Sequence, residues 1–194
     1  MILLSLQDKR QELFEAARKL FLENGFKKTS VSEITGMAQV AVGTFYKYYD
    51  SKEQIFCEVY LAENERSKRI IVDQVDTRQP PKAVVKEFLS AVIQTSSQNN
   101  ILTEWYRNSE LNQMITRKYA HNNKHNDFIY NFLIDQIKLW RESGQFREDL
   151  SEETMIALFN SLIVIDLHKD EIGSEHFPDL LELLAGFLVD GLSK

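Results

Sequence analysis

The stretch VAVGTFYKYYDSK, from Val40 to Lys52, decides how the amino-terminal part of this chain is interpreted. It holds three tyrosines, one phenylalanine, one glycine and two lysines within thirteen residues. A short helix cannot bury so many hydroxyl and amine groups, because buried polar groups need hydrogen-bond partners. One side of the stretch should therefore be buried, and the other should face a polar partner.

The segments before this stretch predict two helices. Apolar residues recur at the spacing of one helical face at Leu13, Ala16, Ala17, Leu20 and Phe21. Gly25 should end this helix, because glycine readily takes the left-handed conformation. Ser30 and Glu33 have the spacing of a capping box, which predicts a second, short helix. A third helix should cover Val42 to Tyr48.

A long helix followed by two short ones joined by a tight turn is typical of a helix-turn-helix module, whose last helix lies in the major groove of DNA. The spacing predicts that Val40, Phe45 and Tyr49 pack inward. Hydroxyl and ammonium groups suit phosphate oxygens, and methyl groups suit thymine. The outward residues are Val42, Gly43, Thr44, Tyr46, Lys47 and Tyr48, followed by Lys52 at the next helix start.

Residues from about 9 to 56 resemble the DNA-binding domain of the TetR family of transcriptional regulators. The matching positions are Ala16-Ala17, Leu20-Phe21, Gly25, Thr29-Ser30-Val31, Ile34, Val40, Gly43-Thr44-Phe45-Tyr46, Tyr49 and Lys52. The resemblance implies DNA contacts from Thr29, Ser30, Val42, Gly43, Thr44, Tyr46, Lys47, Tyr48 and Lys52.

Two positions depart from the family pattern. Gln39 stands where the family usually has a turn glycine, so it requires either a left-handed residue, at a cost of about 1 kcal/mol, or a different turn. Ala41 stands where a serine or threonine often caps the recognition helix. Neither change removes a group that would contact DNA.

Composition sets the class of the whole chain. Of 194 residues, 43% are apolar, and only seven are glycine and three proline, which favours an all-α fold. The net charge of -6 divides into +2 over residues 1–52 and -8 over residues 53–194. A mildly basic head therefore precedes an acidic body. One cysteine and no apolar stretch long enough to span a membrane predict a cytoplasmic protein without a membrane partner.

We predict two domains, a helix-turn-helix DNA-binding domain at 1–51 and a larger helical domain at 52–194 for ligand binding and dimerisation. The resemblance implies that the larger domain encloses a small-molecule pocket, which aromatic side chains suit. Candidate lining residues are Trp105, Tyr106, Phe128, Phe132, Trp140 and Phe159. The alternative for most of them is an ordinary place in the hydrophobic core.

The last two helices are apolar around nearly their whole circumference, so each should be buried on more than one side. A second copy of the chain would supply the missing cover by forming a four-helix bundle. We predict interface positions at Leu158, Leu162, Ile165, Leu180, Leu184, Phe187 and Leu188.

The sequence thus predicts a ligand-responsive repressor that binds a pseudo-palindromic double-stranded operator as a homodimer, with an unidentified small-molecule effector. The alternative is a helix-turn-helix module that acts through protein contacts without sequence-specific DNA binding. His121 and His125 could share a helix face as metal ligands, but no third ligand is evident, and we expect solvated histidines. We expect no metal, no cofactor, no catalytic residues and no enzymatic activity.

Overall fold

The computed structural model describes the backbone of residues 2–121 and 128–194, and the side chains of residues 9–117 and 131–194. The regular elements in these ranges are helices, so the predicted all-α fold is confirmed. They are α1 (Ile2–Asn24), α2 (Val31–Met37), α3 (Val42–Phe45), α4 (Lys52–Gln74), α5 (Pro81–Gln98), α6 (Glu104–Arg107), α7 (Ser109–His121), α8 (Phe128–Glu142), α9 (Glu152–Leu167), α10 (Lys169–Ile172), a 3₁₀ helix (Ser174–His176) and α11 (Asp179–Leu192).

The chain divides into two compact units. The first is Met1–Asn64 with Ser96–Tyr119, and the second is Glu65–Thr95 with Ala120–Lys194. Helices α4 and α5 each contribute residues to both units. These units describe packing, and the predicted functional boundary between residues 51 and 52 stays a prediction.

The end of α1 follows the prediction. Gly25 has φ +76°, the left-handed region that favours glycine, and its N–H donates to the carbonyl of Phe21 at 3.0 Å. The chain then turns back so that the Phe26 ring lies 4.9 Å from the Phe56 ring, edge to face. The turn therefore joins the end of α1 to the core of the first unit.

The capping box of α2 is confirmed. The Ser30 hydroxyl accepts from the Glu33 N–H at 3.2 Å, and the Glu33 carboxylate accepts from the Ser30 N–H at 2.7 Å. Gln39 has φ 53°, so this sequence keeps the tight turn and adopts the left-handed conformation without glycine. Ala41 precedes α3 with no side-chain cap, as expected.

Helix α3 is shorter than predicted, ending at Phe45 instead of Tyr48. The physical reason lies in its hydrogen bonds. The N–H groups of Lys47 and Tyr48 donate to the carbonyls three residues earlier, Thr44 and Phe45, at 3.2 and 2.9 Å. The chain therefore tightens into 3₁₀-type turns, as helix ends often do.

The second unit has its own core, which α8, α9 and α11 build together with α5 and the end of α4. Its buried members are Ile71, Val75, Val84, Val85, Phe88, Ile137, Trp140, Phe146, Met155, Phe159, Ala185, Val189 and Leu192. Helix α8 ends before Gly144, whose φ of +72° lies in the left-handed region. The Ser151 hydroxyl caps α9 by accepting from the Thr154 N–H at 3.2 Å.

Helices α6, α7 and α10 were not predicted. Helices α6 and α10 have four residues each, too few for apolar residues to recur at a helical period. Trp105 in α6 is nevertheless buried and stacks on Tyr60 of α4, with ring centroids 6.0 Å apart. This contact between residues distant in sequence holds α6 in the first unit.

The same glycine-to-alanine substitution at two positions should have opposite effects on the free energy of unfolding. Gly25→Ala should lower the free energy of unfolding by about 1 kcal/mol, because alanine is strained at φ +76°. Gly36→Ala, within α2 and with no neighbour near the added methyl group, should raise it by about 0.5 kcal/mol. Urea denaturation measures both, and equal effects would contradict the assigned end of α1.

Candidate DNA-binding site

Helix α3 and the turn after it have two unlike faces. Phe45 and Tyr49 are buried, with 0% and 2% of their surface exposed. The exposed residues are Val42, Gly43, Tyr46 and Lys47, with Thr44 and Tyr48 half-buried. The inward positions predicted for Phe45 and Tyr49, and the outward face opposite them, match this arrangement.

Gly43 lies on the exposed face. Apart from its chain neighbours and the backbone of its own helix, no described residue lies within 4 Å of a methyl group built on it, so the packing of the protein does not require glycine there. Close approach of a partner's surface would require it. This is one feature of α3 that a partner explains better than the fold does.

Tyr49 connects the recognition segment to charged groups of two other helices. Its ring packs 5.6 Å from that of Phe45, and the Arg10 guanidinium lies 5.5 Å from its centroid. Arg10 donates from one nitrogen to both carboxylate oxygens of Glu58, at 2.9 and 2.7 Å. Burial first, and then the Glu58 charge, raise the pKa of Tyr49 to about 12, although Arg10 acts in the opposite direction.

Lys52 and Thr29, two predicted DNA contacts, have partners within the protein. The Lys52 ammonium donates to the carbonyls of Phe26 and Thr29, each at 2.9 Å, and lies 4.1 Å from the centroid of the Phe26 ring. Thr29 is buried, and its hydroxyl donates to the Gly25 carbonyl at 2.8 Å. Both residues thus shape the loop between α1 and α2, and as DNA contacts they remain predictions.

Lys27 and Lys28 were missed in the sequence analysis. Both are exposed in the loop that Lys52 binds, directly before buried Thr29 and exposed Ser30. The signal was available as two adjacent lysines before a helix cap. These two positions do not belong to the motif that carries the family resemblance.

The predicted pocket residues fall in both units. Trp105 is buried in the first, and the neighbouring Tyr106 is half-buried. In the second unit Trp140 and Phe159 are buried in the core, and the partly buried Phe132 stacks on Phe88 at 5.7 Å. The side chain of Phe128 lies outside the described residues. All six stay predictions as ligand contacts.

The predicted interface residues lie on α9 and α11 and retain partial exposure. Phe187 is the most open of them, at 64%. Leu158, Leu162, Ile165, Leu180, Leu184 and Leu188 are half-buried. Leu183, which the prediction omitted, is 54% exposed and lies one turn from Phe187. Beside them α5 and α11 form a groove of about 390 Å³.

The histidine pair considered as metal ligands, His121 and His125, falls outside the described side chains. Within the side chains that are described, no group of three or more His, Cys, Asp and Glu residues has a metal-binding arrangement. No described helix is long and apolar enough to cross a membrane.

Comparisons with known proteins agree with this geometry. The profile described as "Bacterial regulatory proteins, tetR family" matches residues 13–59, which span α1 to α4 of the first unit. These residues form a DNA-binding domain of the TetR family. It is 24% identical over 192 residues to the uncharacterized HTH-type transcriptional regulator YhgD of Bacillus subtilis, covering 96% of this chain and 97% of that one. The protein is a TetR-like transcriptional regulator.

Two further comparisons cover different parts of the chain. The HTH-type transcriptional repressor DhaR of Mycobacterium sp. is 32% identical over 90 residues, 44% of each protein. The crystal structure of RolR in complex with resorcinol matches 97% of this chain and 89% of that one, at 21% identity and a TM-score of 0.63. This likeness extends the shared fold beyond the helix-turn-helix.

Tyr49→Phe should stabilise this TetR-family regulator by about 1 kcal/mol at neutral pH, because the buried Tyr49 hydroxyl makes no hydrogen bond with any described residue. The wild-type free energy of unfolding should also fall between pH 10 and 12. An unfolded tyrosine ionises near pH 10, whereas folded Tyr49 holds its proton to about 12.

The variant should lack the Tyr49 part of that alkaline loss, which denaturation at several pH values measures. Tyr46→Phe, at an exposed tyrosine of the same segment, is the matched control and should change the neutral-pH value by less than about 0.5 kcal/mol. A loss of stability in Tyr49→Phe would show that the hydroxyl has a partner.

Proposed function

We propose that this TetR-family regulator is a ligand-responsive repressor that binds a pseudo-palindromic operator as a homodimer. The observation that carries the proposal is the exposed face of α3 and the turn after it, where Val42, Gly43, Tyr46 and Lys47 are exposed although Phe45 between them is buried. Among the described residues, the ring contact of this face is that of Tyr46 with Phe45, edge to face with centroids 5.3 Å apart. The repressor sense of regulation is supported by the similarity to DhaR, which is named a repressor.

The residues of this face have separate roles in the proposed complex. Thr44 and Val42 offer methyl groups to thymine, and the Thr44 hydroxyl offers a hydrogen bond to a base edge or phosphate. Lys47, Tyr46 and Tyr48 offer donors to phosphate oxygens, which position a protein on the duplex without reading its sequence. Ser30 is exposed at the start of α2, which would cross the DNA backbone.

The proposed dimer uses α9 and α11. These helices are apolar on several sides, yet in the single chain only Met155 and Phe159 of α9 are buried. Phe187, Leu183 and Val164 remain exposed large apolar residues. A two-fold partner would cover the same surface on both copies, because a C2 interface is self-complementary. The dimer would also present two helix-turn-helix domains to DNA half-sites about 34–36 Å apart.

The effector is proposed to be a small molecule that binds within the larger helical part. The support is the fold shared with RolR, whose crystal structure contains resorcinol, together with the aromatic residues of α8 and α9. Helix α4 runs without interruption from Lys52 to Gln74, so it is a candidate to carry a displacement to the head. Such coupling must be reciprocal: an effector that weakens operator binding is itself bound more weakly with operator present.

We further propose that the protein has no enzymatic activity and needs no cofactor, since the exposed face of α3 suits binding rather than catalysis.

The alternative function is a helix-turn-helix module that acts through protein contacts. The two readings differ in one measurable property, because only an operator-binding dimer selects a two-fold symmetric sequence from random DNA. An absence of sequence selection would favour the alternative.

Selection from random double-stranded DNA should yield a two-fold symmetric motif, and two variants should then separate base readout from phosphate binding. Thr44→Ala should relax preference at particular base pairs by about 1–3 kcal/mol. Lys47→Ala should weaken binding to all sequences and lower the salt slope by about 0.9 per subunit.

Fluorescence anisotropy with the selected operator and with scrambled DNA, at several salt concentrations, measures both properties. Lys19→Ala, at an exposed lysine of α1, is the charge-matched control for Lys47→Ala. Equal weakening of every sequence by Thr44→Ala would contradict its role in base readout.

Phe187→Asp should shift the protein from dimer to monomer, because it places a charge in the proposed interface. The side chain is 64% exposed in the single chain, so the subunit should still fold. Ile70→Asp, on α4 and 51% exposed, is the matched control and should remain a dimer. Light scattering at micromolar concentration measures the mass. A monomeric wild type would contradict the proposed dimer.

A further inference from the structure

The loop between α1 and α2 is held from both of its ends by one side chain. The Lys52 ammonium donates to the carbonyls of Phe26 and Thr29, at 2.9 Å each. It also lies 4.1 Å from the centroid of the Phe26 ring, within the range of a cation–π interaction. Two of the three N–H donors of Lys52 are therefore used inside the protein.

Two exposed lysines lie between the two carbonyls that Lys52 binds. Lys27 and Lys28 follow Phe26 and precede Thr29, and both side chains are open to solvent. Phe26 is anchored by its ring against Phe21 and Phe56, with centroids 6.0 and 4.9 Å away. The backbone on either side of the lysine pair is thus fixed, while the two charges are free to meet a partner.

The position of the pair suits the DNA backbone. Lys27 and Lys28 lie three and two residues before Ser30, the cap of α2, and the first helix of a helix-turn-helix crosses the DNA backbone. No acidic residue occurs between Glu23 and Glu33. Lysine binds phosphate as a flexible point charge, so its contribution depends on where the backbone holds it.

We propose that Lys27 and Lys28 form a second phosphate-contact site, separate from α3, and that Lys52 is a positioning residue for this site. This inference rests on the proposed DNA-binding function. It gives Lys52 a role through the loop and replaces the expected role of a direct phosphate contact. Lys52→Met would keep an unbranched side chain, one atom shorter, and would leave the carbonyls of Phe26 and Thr29 without the ammonium.

The experiment measures how binding of the full-length protein to its selected operator depends on salt. Each phosphate contact that is lost lowers the slope of log K against log salt by about 0.9 per subunit. We expect this change for Lys27→Ala and for Lys28→Ala, and none for Lys19→Ala, an exposed lysine of α1. Unchanged slopes in both loop variants would overturn the second site.

A double-mutant comparison tests the role of Lys52. Lys52→Met should lower the slope in the wild-type background and produce no further change when Lys27 and Lys28 are already alanine. Lys52→Arg, which can still donate to two carbonyls, should retain the wild-type slope. A decrease of about 0.9 in both backgrounds would show that Lys52 contacts a phosphate itself, and would overturn the positioning role.

A weaker operator affinity with an unchanged slope would assign Lys52 a structural role only, and would likewise overturn the proposal. Circular dichroism and thermal denaturation establish that Lys52→Met is folded at the assay temperature. If the wild type itself selects no operator sequence, the proposed function fails, and this outcome is distinct from failure of the loop variants in a protein that binds.

Discussion

A four-residue recognition helix cannot hold its own shape, and the rest of the DNA-binding site depends on the burial of Phe45 and Tyr49. A single helical turn fixes the backbone angles of several residues for about one hydrogen bond, so it is not stable alone. Helix α3 therefore forms only because tertiary packing holds it in place. Both aromatic side chains are almost fully buried. Because they fix one face of the segment, the opposite face presents Val42, Gly43, Tyr46 and Lys47 together.

Charged groups then connect this small core to α4. Glu58 pairs with Arg10 of α1, and Glu63, only 5% exposed, pairs with Arg18 at 2.7 Å and accepts from Asn99 at 3.0 Å. Breaking a buried pair leaves an uncompensated charge, which costs more than the pair itself contributes. A displacement of α4 within the first unit must therefore move α1 with it or break these contacts.

The helices at the carboxyl-terminal end, α9 and α11, carry apolar residues that a single chain does not bury. Helix α9 is strongly apolar, but only Met155 and Phe159 are fully buried in the core of the second unit, and Ile156, Leu158 and Leu162 pack against that core while partly exposed. Exposed Val164 on α9 and exposed Leu183 and Phe187 on α11 have no such role. Large exposed apolar residues grouped on neighbouring helices are typical of interaction surfaces.

The sequence by itself determined the elements whose cause is local. Gly25 ends α1, Ser30 and Glu33 cap α2, and the helical fold follows from apolar periodicity, because a cap, a left-handed residue and a repeat act within a few residues. The motif around Gly43 and Thr44, within the matched residues 13–59, also carries the family resemblance by sequence alone.

Tertiary structure decided what depends on residues distant in the chain. The Lys52 ammonium binds carbonyls 26 and 23 residues earlier, so no local pattern distinguishes it from a lysine that faces DNA. Helix α6 is placed by the stacking of Trp105 on Tyr60 and is too short to show a period. The sequence determined which groups are available for bonding, and the fold decided which of them the protein itself uses, because burial and partner choice depend on three-dimensional proximity.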